Sequence, residues 1–155
     1  MKGDKTVIEK LDELLAEELT AINQYMVEAE MCANWGYEKL HTAMQKRAIT
    51  EMKHAEDLIE RILFLNGRPT VSKLNKINIG ADVEAMHKND LASELSAVAH
   101  YNQAIGLCVQ AGDNGTRELL KAILKDEESH VDWLEAQQDQ IKQMGIQLYL
   151  AEQAG

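Results

Sequence analysis

Apolar residues recur at helical spacing along the first fifth of the chain. Ile8, Leu11, Leu15, Leu19 and Ile22 fall on one stripe with no Gly or Pro between them, which predicts a helix over 5–34. Trp35-Gly36 is a natural stop. A second stripe that includes Leu58, Ile62 and Leu65 predicts a helix over 38–65, ended by the strong breaker Asn66-Gly67-Arg68-Pro69. Residues 70–81 set short apolar pieces (Val71, Leu74, Ile77, Ile79) among polar ones and read as a long ordered crossover. Asp82 is a candidate N-cap for a third helix, 82–111. Gly112-Asp113-Asn114-Gly115 predicts a turn, a fourth helix covers 116–144, and Gly145 separates it from a short fifth, 146–153. Each long helix spans on the order of 42–45 Å at 1.5 Å per residue. Short links join antiparallel neighbours, and the long middle link lets helices two and three lie parallel. The expected architecture is an all-α four-helix bundle with one crossover and a short C-terminal helix.

Length and composition narrow the picture. The 155 residues suit a single domain, 1–155. With 45% apolar residues, one proline (Pro69) and 5% aromatics, the chain is no β-sandwich, collagen or disulfide scaffold. Its 16 basic against 26 acidic residues leave a net charge of −10, a poor match for nucleic acid or anionic membrane and an attraction for cations. No stretch reaches the ~18–20 apolar residues of a membrane helix. No early apolar run follows Met1-Lys2-Gly3-Asp4-Lys5, so a secretory signal is not expected and a cytoplasmic location is. Cys32 and Cys108 form no CxxC and read as reduced, buried thiols.

The informative feature is an internal repeat at an offset of 76 residues. Leu15-Ala16-Glu17-Glu18-Leu19-Thr20-Ala21-Ile22-Asn23-Gln24-Tyr25 aligns with Leu91-Ala92-Ser93-Glu94-Leu95-Ser96-Ala97-Val98-Ala99-His100-Tyr101. The same offset aligns Glu51-Met52-Lys53-His54 with Glu127-Glu128-Ser129-His130, and Leu58 with Leu134. Each half therefore carries a Glu and, 33 residues on, a Glu-x-x-His. The pattern implies a two-fold-related bundle in which each half is a helical hairpin.

On a helix, positions three apart project about 60° from each other, so Glu51 shares a face with His54 and Glu127 with His130. Glu18 and Tyr25, and likewise Glu94 and Tyr101, are seven apart and also share a face. These sets lie among apolar neighbours, and ionised carboxylates buried there need compensation. Two divalent cations would neutralise the four carboxylates, and carboxylate oxygens with two imidazoles suit iron or manganese better than a closed structural zinc site. One Glu from each of two helices plus a Glu-x-x-His from each of the other two is the general pattern of a di-iron or di-manganese carboxylate site. Glu17 and Glu128 are the nearest competitors. Ser93 at the repeat position of Glu17, and the three-residue spacing of Glu127 to His130, decide against them. Tyr25 and Tyr101 read chiefly as core packing near the metals, although Tyr25 is also placed to hydrogen-bond a ligand or supply an electron. Asp126 is placed to accept from an imidazole N–H. His41, His87 and His100 have no repeat partner and read as ordinary surface or interface residues.

These residues resemble a known family. Glu18, Glu51, His54, Glu94, Glu127 and His130 match the ferroxidase-centre pattern of the bacterioferritins, within the ferritin-like class. So do Met1-Lys2-Gly3-Asp4, Ala21-Ile22-Asn23-Gln24-Tyr25, Glu51-Met52-Lys53-His54-Ala55, Glu60-Arg61-Ile62-Leu63-Phe64-Leu65, Asn78-Ile79-Gly80 and His130-Val131-Asp132-Trp133-Leu134-Glu135. The resemblance implies a hollow homo-oligomeric shell of 24 subunits. Two iron ions per subunit would sit at the paired site, where Fe(II) is oxidised by O2 or H2O2 and stored inside as ferric mineral. It implies that Glu51 and Glu127 bridge the two metals, that Glu18 with His54 completes one shell, and that Glu94 with His130 completes the other. It further implies haem b shared between two subunits, with Met52 of each as axial ligand, and in some members a small ferredoxin that sends electrons through the haem to release iron.

Met52 has support from spacing as well. It lies about 100° from Glu51 and about 160° from His54 around the helix, so it points away from the metal-facing side, toward an interface. Where some members carry His or acidic residues that form an extra iron site on the cavity surface, this chain has Lys46, Arg47 and Thr50. Two rival readings are a rubrerythrin-like di-iron peroxidase, disfavoured by the lack of a CxxC…CxxC segment, and a non-enzymatic helical scaffold with solvated Glu/His pairs. A DNA-protecting miniferritin is disfavoured because no basic tail is present.

Overall fold

A computed structural model of the protein describes all residues, Met1–Gly155. Five helices account for the fold: α1 (Lys5–Asn34), α2 (Glu38–Phe64), α3 (Val83–Ala111), α4 (Asn114–Met144) and α5 (Ile146–Ala154). α1 pairs with α2 and α3 with α4 as antiparallel hairpins, and the hairpins dock chiefly through α1 and α3. No helix is long and apolar enough to cross a membrane.

The breaks in the pattern work through backbone chemistry. α1 ends where Gly36 takes φ +85 and the Tyr37 N–H reaches the Cys32 carbonyl at 2.9 Å. α3 ends in the same way, with Gly112 left-handed and Asp113 N–H on Cys108 O at 2.9 Å. Such closures satisfy carbonyls that the last turn would leave unpaired. α2 stops one residue short of the expected Leu65. Leu65 is its C-cap, buried against the core, and Asn66 supplies the left-handed turn at φ 61. α3 begins at Val83 because Asp82 is the cap itself, its carboxylate accepting from Ala85 N at 2.8 Å. α4 begins at Asn114, two residues before the expected Thr116. There Asp113 caps the helix by accepting from Thr116 N at 3.0 Å, and Arg61 braces the cap at 3.2 Å from Asp113 Oδ1, which draws Asn114 and Gly115 into the first turn. α5 runs one residue beyond the expected Gln153.

The crossover is an ordered strap along α1. Thr70 N donates to Asp12 at 2.7 Å, Asn75 N to Thr20 at 2.8 Å and Asn78 N to Gln24 at 3.2 Å, so successive crossover residues meet successive turns of α1. At its end the chain passes so close to α3 that a Cβ on Gly80 would sit 2.4 Å from Met86 N; only glycine fits there. The strap returns the chain along the bundle, and α2 and α3 consequently run parallel.

The main core lies toward one end and includes Leu11, Leu14, Leu15, Leu58, Ile62, Tyr101, Leu120 and Ile123. A second cluster at the other end joins Cys32, Leu40, Val83, Met86 and Ile141 to Tyr149 of α5. Both cysteines are free and buried, and burial pushes each thiol up to about 11, so neither is a reactive thiolate at neutral pH. Between them a smaller apolar group, Tyr25, Ala29 and Met44, sits beside buried polar side chains.

Leu58 is fully buried in the larger cluster. Leu58→Ala is expected to destabilise the protein by about 2–5 kcal/mol through the cavity it leaves, read as a lowered denaturation midpoint at unchanged helix content in the native baseline.

Candidate metal centre

α1 carries Glu18 inward, α2 Glu51 and His54, α3 Glu94, and α4 Glu127 and His130. All six are buried, the most exposed being His130 at 7%. They form two overlapping groups, Glu18–Glu51–His54–Glu127 and Glu51–Glu94–Glu127–His130, with the ligand atoms of each group within 4.8 Å of one another. Glu51 and Glu127 belong to both. The arrangement follows the repeat. His54 Nδ1 lies closest to Glu127 of the other hairpin, at 3.1 Å, and His130 Nδ1 closest to Glu51, also at 3.1 Å.

One atom of each of these side chains is buried with no hydrogen-bond partner: Glu18 Oε2, Glu51 Oε1, His54 Nδ1, Glu94 Oε2, Glu127 Oε1 and His130 Nδ1. Orphaned buried polar atoms are costly and need a partner. Here all six converge on one small volume, and carboxylate oxygens with imidazole nitrogens are a donor set that two divalent cations would satisfy.

The atoms pointing away from that volume are held. Tyr25 on α1 donates its hydroxyl to Glu94 Oε1 on α3 at 2.6 Å, and Tyr101 on α3 donates to Glu18 Oε1 on α1 at 2.5 Å. Burial raises both phenols well above their ordinary value, so they stay neutral donors. The pairing crosses between the hairpins, whereas the sequence places each tyrosine on the face of the glutamate in its own helix. Asp126, half exposed, accepts from His54 Nε2 at 2.8 Å as its position predicts. Glu17 pairs instead with His100, and Glu128 lies on the surface. Met52 is 44% exposed on the outward side of α2, one turn from Ile49 at 46%.

Electrostatics show how the site behaves without cations. Burial and the nearby Glu51 push Glu18 well up. Burial with Glu127 alongside pushes Glu94 up to about 7. For Glu51 burial is outweighed by the close approach of Glu18, His130 and His54, which brings it down to about 2; Glu127 is lowered in the same sense by Glu94, His130 and His54. His130 is raised to about 10, the adjacent carboxylates of Glu127, Glu51 and Glu94 outweighing burial, and His54 is raised in the same sense. Imidazolium ions and protons thus neutralise the carboxylates where cations are absent.

His87 departs from expectation, and two further buried acids, Glu28 and Asp90, were not anticipated. His87 is no surface residue: it is fully buried, 2.9 Å from the Tyr149 hydroxyl and edge-on to Trp133, and burial lowers it to about 4, so it is neutral. α5 folds back to cover it, and a neutral imidazole with one hydrogen bond tolerates that burial. Glu28 and Asp90 form a second buried acid pair beside the centre. Burial and Asp90 push Glu28 up to about 11, burial pushes Asp90 up to about 6, and Gln24 Nε2 donates to Asp90 at 2.8 Å. The stripe Val83, Met86, His87, Asp90, Glu94 continues the inward face of α3 and was the available signal for both His87 and Asp90. A cleft of about 320 Å³ reaches the site, bounded by Glu18, Gln24 and Glu94 inside and by Asn75 and Asn78 of the crossover at its mouth.

Residues 8–144 match the family described as Ferritin-like domain. Bacterioferritin from Mycolicibacterium paratuberculosis is 38% identical over 152 residues, which cover 98% of this chain and 96% of that protein. A bacterial ferritin from Paramagnetospirillum magnetotacticum is 41% identical over 162 residues, covering 100% of this chain and 96% of its own length. Bacterioferritin from Brucella melitensis is 37% identical over 149 residues, covering 96% and 92%.

Cation binding must displace protons from this site. His130, raised to about 10, is protonated at neutral pH, and Glu94, at about 7, is partly so. Zinc(II) binding is expected to release protons at pH 7 and to tighten between about pH 6 and 8; calorimetry in buffers of different ionisation enthalpy reads both. The stability linkage has a matching sign. The imidazole of His130, raised above its unfolded value, favours the metal-free fold below about pH 6.5, and this contribution is lost as pH rises through about 10. The metal-free protein should therefore lose more stability than the loaded one between pH 7 and 10, measured by thermal melts.

Proposed function

The chain belongs to the ferritin-like family and, within it, to the bacterioferritins, and from that premise we propose that it is an iron-storage subunit whose buried Glu/His cluster is a di-iron ferroxidase centre. The observation that carries this reading is the convergence of six orphaned donor atoms, in two groups sharing Glu51 and Glu127, around four buried carboxylates. Fe(II) is the substrate and O2 or H2O2 the oxidant; when bound, the two iron ions supply the electrons that reduce the oxidant.

The side chains have distinct tasks. Glu51 and Glu127 face both positions and would bridge. Glu18 with His54, and Glu94 with His130, would complete the two shells. Tyr25 and Tyr101 fix one oxygen of each terminal carboxylate and leave the other to bind iron. Tyr25, in contact with Glu94, is also the residue we place nearest to electron supply. The phenols and helices hold the geometry while the acidic surface concentrates Fe(II) near the cleft.

The assembly belongs to the same proposal. Met52 offers a half-exposed thioether on an apolar outward face, which fits a haem b held between two copies by one methionine from each. Such pairs would build a 24-subunit cytoplasmic shell that stores the ferric product, and a small ferredoxin would feed electrons through the haem for release.

Glu94→Ala is expected to fold and assemble yet lose rapid Fe(II) oxidation by at least the ~10–100-fold that removal of even an outer partner costs. Undiminished stopped-flow oxidation would overturn the assignment. Met52→Leu is expected to abolish the Soret band of the haem-loaded protein while leaving ferrous oxidation intact; retained haem absorption would remove Met52 as the ligand.

A further inference from the structure

The repeat makes the two halves of the centre nearly interchangeable, but two charges break that equivalence in the same direction. On the Glu94–His130 side lies Arg47. Its Cζ is 5.7 Å from the Tyr25 ring centroid and 5.6 Å from that of Trp133, and its Nη1 is 3.8 Å from Glu94 Oε1. The Arg47 side chain is 13% exposed, so water screens its charge weakly. Its repeat counterpart is Ile123, and no arginine or lysine pairs with Glu18. On the Glu18–His54 side, Asp126 sits behind His54 at 2.8 Å. Its repeat counterpart is Thr50, and His130 meets carboxylates only through Nδ1.

We propose that the two metal positions are unequal: a divalent cation occupies the Glu18–His54 position first and more tightly, and the Glu94–His130 position is the weaker, exchangeable one. This inference rests on the reading of the cluster as a paired-metal centre. Both terminal carboxylates have one oxygen held by a phenol, but a dication arriving at Glu94 also meets a fixed guanidinium, and like charges repel strongly where water is excluded. A dication arriving at His54 meets an imidazole whose far nitrogen faces a carboxylate, which makes it the better donor.

Neighbouring charges leave this asymmetry standing. Asp90 partly offsets Arg47, but it lies one turn, about 6 Å along the axis, before Glu94. One of its oxygens is held by Gln24, and it is paired with Glu28. On the other side Glu17 is committed to His100.

The test is a cobalt(II) titration of the metal-free full chain, followed by d–d absorption, with anomalous diffraction from crystals given about one equivalent. Two ions per chain should bind in steps at least about tenfold apart, with the first anomalous peak at Glu18–His54. Arg47→Gln should bring the steps together, Arg47→Lys should keep them apart because it keeps the charge, and Asp126→Asn should weaken the first step. Asp126 is half exposed, so its variant carries the test if Arg47→Gln does not fold. Equal steps, a first peak at Glu94–His130, or a step ratio unmoved by both Arg47→Gln and Asp126→Asn would overturn the inference. Fewer than two ions per chain would overturn the paired-metal reading itself.

Discussion

The central constraint is the burial of four carboxylates in the middle of a helical bundle. Glu18, Glu51, Glu94 and Glu127 are each no more than 3% exposed. Ions removed from water cost several kcal/mol apiece unless something opposes their charge. Hydrophobic clusters pack on either side of the acids along the bundle, which keeps them buried. The remaining means of neutralisation are protons, the two imidazoles, or cations. The local geometry favours cations because the phenols of Tyr25 and Tyr101 hold the outer oxygens and leave an inner set of donors unpaired.

Around that centre the polar interior is graded. Glu28 and Asp90 lie toward the α5 end; burial and the neighbouring Asp90 keep Glu28 protonated, while Asp90, raised to about 6, carries the pair's negative charge at neutral pH. Gln24 connects this pair to the crossover, since its amide donates to Asp90 and accepts from Asn78 N. The strap is thus mechanically continuous with the interior, and the cleft along it opens beside the same glutamine.

Much of this was legible in the residues themselves. The helix limits follow from local punctuation, because Gly36, Gly112 and Asp82 act on their own turn. The convergence of the six side chains was legible because a repeated pattern is hard to produce by surface chemistry: Ser93 opposite Glu17 singled out Glu18. Contacts between segments were less so. The crossed Tyr25–Glu94 and Tyr101–Glu18 pairing depends on how the hairpins dock, which periodicity within one helix does not encode. The burial of His87 depends on α5 folding back, and the earlier start of α4 on a brace from Arg61, half a chain away. Arg47 reads in one dimension only as a departure from the His or acidic residues of some bacterioferritins, and only the packed structure sets it between two aromatic rings.

The two-hairpin plan also orders events in folding. Contacts within α1–α2 and within α3–α4 are local, and such elements close quickly because little chain entropy is lost. Each hairpin alone brings together only two of the four acids. The full crowd of charge assembles only when the hairpins meet, at the end of a strap that must first be laid along α1. The electrostatic cost therefore falls on the contact between the hairpins, the step that a bound cation would favour.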